Sequence, residues 1–153
     1  GRGTVLGVDV DIREFNKKNI KKSHLIKRIS MIQGSSIDKK VVARVKKFAK
    51  GKKRILIFLD SAHTFEHVLE ELKSYSSLVK RGSYIVVFDT VAENFPTNWF
   101  KKNGTDRSLN KTNNPKTAVH KFLKLNNRFK IDKVFQRKLL ATSAPDGFLK
   151  CVK

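Results

Sequence analysis

Apolar and polar positions alternate between two regimes along this chain, and the changes of regime mark its elements. Residues 5–10 (VLGVDV) are almost continuously apolar, with Asp9 near the end, which is the pattern of a parallel strand buried on both faces. Residues 11–22 are polar and read as a helix. A second short strand is expected around residues 28–32, stopped by Gly34-Ser35-Ser36. Val41, Val42, Val45, Phe48 and Ala49 then recur on one helical face, closed by Gly51. Residues 54–59 (RILIFL) give the clearest strand, with Asp60 at its carboxyl end. Phe65, Val68, Leu69, Leu72 and Tyr75 mark the next helix, for which Thr64 is the expected N-cap. Gly82 ends the following loop, and residues 83–88 (SYIVVF) form another buried strand that finishes at Asp89.

Residues 92–113 break the rhythm. They are rich in Asn and Lys, contain Pro96, Trp99 and Gly104, and lack periodicity, as expected of a variable loop or lid. Asn114-Pro115 reads as N-cap and first residue of a helix with the face Ala118, Val119, Phe122 and Leu123. Residues 129–135 and 138–144 are expected to be antiparallel strands, and Pro145-Asp146-Gly147 a turn leading to residues 148–152. The alternation predicts an α/β fold, a mostly parallel sheet covered by helices with an antiparallel C-terminal hairpin, in a single domain spanning residues 1–153.

Composition narrows the functional classes. The chain carries 34 Lys and Arg against 13 Asp and Glu, a net charge of +21, which invites a nucleic-acid reading. The basic residues nevertheless come as scattered pairs, such as Lys17-Lys18, Lys39-Lys40 and Lys101-Lys102, on predicted polar faces. Lysine dominates, whereas bidentate reading of phosphates and bases favours arginine, and no helix-turn-helix, zinc-finger, RNP or KH pattern is present. A solvated basic surface is the better account, and nucleic acid is not the expected partner. The apolar runs are too short to span a bilayer, no signal peptide is visible, and the lone Cys151 allows no internal disulfide. A reducing cytoplasm is the default location.

Three acids end apolar strands: Asp9, Asp60 and Asp89. In open α/β sheets ligands sit beyond the carboxyl ends of the strands. Asp9 stands where an acid accepts hydrogen bonds from ribose hydroxyls; a helix cap or strand-end solvation is its alternative, and Asp11 has the poorer claim to the same task. If the strands before Asp60 and Asp89 are neighbours, two carboxylates converge and invite a hard cation such as Mg²⁺; the alternative is that each caps its own loop. His63 starts the next helix and could take a proton from a substrate hydroxyl, against the plainer reading of a surface histidine. His67 has less reason to face that side, and His24 and His120 read as surface residues.

Together, "VLGVDVDIR", "IQGSSID", "FLDSAHTFEHVLEEL", "GSYIVVFDT", "NNPKTAVHKFL" and "APDGFLK" resemble the cephalosporin hydroxylase and rhamnosyl O-methyltransferase family over residues 4–150. The resemblance implies a Rossmann-like class I methyltransferase fold whose site plan is similar to that of catechol O-methyltransferase. It implies that Asp9 binds the ribose of S-adenosyl-L-methionine and that Ser36 and Ile37 border the adenine. It also implies that Asp60 and Asp89 hold Mg²⁺, and that His63 falls at the position of the base. The implied reaction is methylation of a hydroxyl on a sugar or other small metabolite, within lipid or glycolipid biosynthesis. The rival is a methyltransferase-like binding domain without turnover whose basic surface holds an acidic partner. A nucleic-acid methyltransferase lacks the support of an Asn-Pro-Pro-Tyr-type motif. The chain departs from the family at Phe88, where an acid is usual, and in "NGTDRSLNKTNNP", which lacks a Trp-Gly-Pro-Gly-like approach. It also lacks the family's first strand and glycine-rich turn, so the domain is expected to be N-terminally incomplete and poorly stable alone, with strand edges left unpaired.

Overall fold

The computed structural model describes residues 3–96, 99–103, 109–139 and 141–153. Two compact units make up the chain, Gly1–Lys50 and Gly51–Lys153.

In the first unit, strand β1 (Val5–Asp9) leads through helix α1 (Glu14–Lys22) and a 3-10 turn at Ile26–Arg28 into strand β2 (Ile29–Gln33). The two strands pair in parallel from Val5↔Ile29 to Asp9↔Gln33, and α1 lies within the long connection that a parallel pair requires. Helix α2 (Lys39–Ala49) starts where the Asp38 carboxylate accepts the N–H groups of Lys40 and Val41, at 2.8 and 3.1 Å. Its Val41 and Ala49 are buried while its lysines face solvent. Gly34 has φ 145°, and a β-carbon there would meet Val41 Cγ2 at 2.7 Å, so the turn into α2 needs glycine.

The second unit contains a four-stranded sheet in the order β3 (Ile57–Leu59), β4 (Tyr84–Val87), β6 (Phe148–Cys151), β5 (Phe129–Ile131). Strands β3 and β4 are parallel, whereas β4–β6 and β6–β5 are antiparallel. Helix α3 (Phe65–Tyr75) packs on helix α5 (Pro115–Leu125). Their apolar faces bury Val68, Leu72, Ala118, Val119 and Phe122, and the sheet contributes Ile85, Val87 and Leu149. Asn114 caps α5 with a reciprocal box: its Oδ1 accepts from Thr117 N–H at 3.0 Å, and Thr117 Oγ1 accepts from Asn114 N–H at 3.3 Å. Cys151 is buried, and its thiol points to the carbonyl of Val79.

Several expectations are corrected. The predicted strand over residues 138–144 is absent among the described residues. Asp132 instead caps helix α6 (Lys133–Lys138) by accepting the Phe135 N–H at 3.0 Å, and β6 becomes the antiparallel partner of β5. Residue 140 lies outside the described residues. Only Ile57–Leu59 of the predicted strand 54–59 joins the ladder, because the Ile55 carbonyl accepts from the Ser83 hydroxyl rather than from a strand neighbour. β1 is not buried on both faces. Among the described residues it pairs with β2 alone, and Val5 remains 62% exposed. A 3-10 turn at Thr90–Asn94 runs into the loop 92–113, which holds the short helix α4 (Trp99–Lys102), with Phe95, Trp99 and Phe100 in mutual ring contact. Residues 97–98 and 104–108 of that loop lie outside the described residues. Among the described residues, no helix is long and apolar enough to cross a membrane.

Candidate metal and catalytic centre

The pairing of β3 with β4 brings Leu59 opposite Val87, and the Phe88 N–H extends the ladder by donating to the Leu59 carbonyl at 2.9 Å. Asp60 and Asp89 therefore leave adjacent parallel strands at the same end. His63 returns between them. Its Nε2 lies 3.1 Å from Asp60 Oδ1 and its Nδ1 3.5 Å from Asp89 Oδ2. One ligand atom from each of the three residues falls within 4.8 Å of the others.

The histidine is not a surface residue: it is 4% exposed, while both carboxylates remain open to solvent. Backbone strain accompanies this placement. His63 has φ 61° and Asp89 φ 53°, and these are two of the three non-glycine residues with positive φ among the described residues. Left-handed backbone costs free energy in such residues and concentrates where geometry is held for function. The loop-cap alternative for the aspartates is not what the structure displays. Among the described residues no backbone N–H donates to either carboxylate, although Asp89 directly precedes the turn at Thr90.

The surroundings fix the loop at both ends. Thr64 caps α3 by accepting the His67 N–H at 3.4 Å, and Asn113 Oδ1 accepts the Phe65 N–H at 2.8 Å. Thr64, Phe65, Glu66, Thr112 and Asn113 line an open recess of about 350 Å³ beginning one residue after His63. At the near end, Ser61 Oγ donates to Glu71 Oε2 at 2.8 Å, and Glu71 Oε1 lies 3.6 Å from His67 Nε2. Glu71 is 2% exposed. Burial, and then the charge of Glu71, push the Tyr75 hydroxyl up to about 12. Phe88 is half-buried, with its ring 6.0 Å from that of Phe58; it offers no ligand atom.

In the first unit, Asp9 ends β1 with an exposed carboxylate, and its Oδ1 accepts the Asp11 N–H at 2.9 Å. It does not cap α1, whose N-cap is Arg13. Ser36 and Ile37 are half-buried in the turn between β2 and α2. His24 and His120 are exposed, as expected. Glu71 and Asn113 escaped the sequence reading. The available signals were the i, i+4 spacing of His67, Glu71 and Tyr75, and the second asparagine before Pro115.

Comparison with known proteins adds the family. No functionally curated protein matches the chain. Among solved structures, two of MycE methyltransferase from the mycinamycin biosynthetic pathway are similar in fold. One is in complex with Mg, SAH and mycinamycin VI, at 14% identity and a TM-score of 0.55. The other, in complex with Mg and SAH, is 16% identical with the same TM-score. Each alignment covers 99% of this chain and 37% of the MycE chain, so the chain spans well under half of that protein's length. The family described as rhamnosyl O-methyltransferase/CmcI matches residues 1–152. This chain, with Asp60, His63 and Asp89 gathered at the ends of two parallel strands, belongs to the rhamnosyl O-methyltransferase/CmcI family.

Proposed function

We propose that the chain is part of an O-methyltransferase that moves the methyl group of S-adenosyl-L-methionine to a hydroxyl of a sugar or other small metabolite, with Mg²⁺ assistance. The observation that carries this reading is the cluster of Asp60, His63 and Asp89. The family and the MycE complexes with Mg and SAH support it. Within it, the fold is the Rossmann-like methyltransferase sheet, residues 1–153 act as one domain, and residues 92–113 act as a lid.

The donor set suits the ion. Asp60, His63 and Asp89 each offer one ligand atom within 4.8 Å of the others, so the two carboxylates are close enough together to hold one cation between them. Mg²⁺ favours oxygen, which assigns it to the carboxylates of Asp60 and Asp89 and leaves the imidazole to handle the proton. Held there, Mg²⁺ would supply positive charge to orient an acceptor hydroxyl and make it more acidic. His63 takes the proton: a neutral ring has one N–H to donate, and on protonation it gains a second, so that each ring nitrogen then faces a carboxylate as a donor. The recess lined by Thr64, Phe65 and Asn113 is assigned to the acceptor. Asp9 is assigned to the cofactor ribose, with Ser36 and Ile37 beside its adenine. The rival without turnover is less favoured, because all three groups of the cluster are present.

Titration calorimetry on the full-length protein tests the proposal. S-adenosyl-L-methionine should bind, and Asp9→Ala should abolish that binding. Asp60→Asn should weaken Mg²⁺ binding by at least about tenfold, since a divalent ion loses one of its two charged ligands. A protein that ignores the cofactor, or an Asp60→Asn variant with unchanged Mg²⁺ affinity, would overturn it.

A further inference from the structure

We infer that Glu71 is a positioning residue, acting through Ser61 to hold the loop that carries Asp60 and His63. The contact stands on the structure alone; what the held loop does rests on the reading just given.

Glu71 sits on α3, a helix fixed by its cap at Thr64 and by the burial of Val68, Leu72 and Tyr75. Residues 60–64, by contrast, belong to no helix or strand. Their far end is held by the Thr64 cap and by Asn113 against Phe65. At the near end, the hydrogen bond from Ser61 Oγ to Glu71 Oε2, 2.8 Å long, ties the residue after Asp60 to the helix. A carboxylate is an expensive filling for a site only 2% exposed, and an apolar side chain of similar volume would pack there at lower cost. What the carboxylate adds is a short, directional, charge-assisted bond from a rigid helix to a loop whose fourth residue, His63, is held in a left-handed conformation. With both ends tied, Asp60 and His63 keep their 3.1 Å approach without needing an ion to gather them.

The test compares the full chain with Ser61→Ala, Glu71→Gln and Glu71→Leu by two readouts. Amide hydrogen exchange of residues 60–64 reports on the loop directly, and Mn²⁺ titration followed by electron paramagnetic resonance reports on the metal site. Ser61→Ala and Glu71→Leu should speed exchange in the loop and weaken Mn²⁺ binding by about tenfold or more, and Ser61→Ala should also lower the melting temperature, because it leaves the buried Glu71 Oε2 without its donor. Glu71→Gln keeps a side-chain oxygen that can accept from Ser61 and should stay within about twofold of the parent in both readouts. Loop exchange in Ser61→Ala equal to the parent's overturns the inference, as does a Glu71→Gln variant as impaired as Glu71→Leu. If the parent binds no Mn²⁺, the metal reading falls, and the exchange comparison still decides the positioning role.

Discussion

Gly147 offers a sharp test of how the sheet supports the candidate site. The Val87 N–H donates to the Gly147 carbonyl at 2.9 Å, which draws the approach to β6 tight against the end of β4, two residues before Asp89. A β-carbon on Gly147 would lie 2.1 Å from the Val87 carbonyl oxygen, 3.1 Å from Ala144 Cβ and 3.2 Å from the Ala144 carbonyl oxygen. Reaching even the 3.0 Å limit requires a displacement of about 0.9 Å, the difference between 3.0 and 2.1. The atom in the way is backbone, so no side-chain rotation relieves it. Overpacking of this kind costs about 1–3 kcal/mol, and the absence of a soft neighbour places Gly147→Ala in the upper part, about 2–3 kcal/mol. For a chain of this size that lowers the melting temperature by about 4–12 °C. The displaced strand end carries Asp89, so Mn²⁺ affinity should fall in the same variant. Gly7→Ala is the control. It meets nothing within 4 Å and does not have positive φ, so its melting temperature should stay close to the parent's. Thermal melts by circular dichroism check both. A Gly147→Ala protein that melts with the parent, or a Gly7→Ala protein that loses as much, would refute the reasoning.

Two further outcomes follow from the packing around the site. The Tyr75 hydroxyl is raised from 10.0 to about 12, so its neutral form stabilises the fold below pH 10, and that contribution is lost as pH rises through about 12. Tyr75→Phe should therefore show a shallower loss of stability between these values in alkaline denaturation. Asn114→Ala removes an acceptor for the Thr117 N–H and a donor to the Asn110 carbonyl at a fully buried position. It should cost about 2 kcal/mol in urea unfolding. Asn114→Asp keeps the acceptor but sets a carboxylate oxygen against the Asn110 carbonyl at a fully buried position, and should cost at least as much.

The elements whose periodicity is strong were legible in the sequence. The apolar faces of α2, α3 and α5 fall on the predicted residues, and Thr64 and Asn114 cap the helices they were expected to cap. The apolar runs marked β3 and β4 as strands of a mostly parallel sheet but left open whether they are neighbours; the structure pairs them, and with that brings Asp60 near Asp89. Periodicity failed where a single polar side chain decides the outcome. Residues 133–138 have apolar residues that suit a strand, but the Asp132 carboxylate recruits the Phe135 N–H and starts a helix. Ile55 and Leu56 are apolar enough for the ladder, yet they stay outside it, with the Ile55 carbonyl accepting from the Ser83 hydroxyl. Burial of His63 depends on a left-handed backbone that no local pattern encodes. Glu71 was hidden for a related reason: a charged residue beside an apolar stripe ordinarily faces water, and its burial becomes visible only once Ser61 is seen to meet it.

The chain holds one cysteine, and its sulfur lies fully enclosed behind β6, near the Val79 carbonyl and the Arg128 guanidinium. Thiol reagents therefore meet no native competitor while the fold is intact. A spin label or fluorophore on an introduced surface cysteine would report on that position alone, and a slow second equivalent of labelling would time the opening of the sheet.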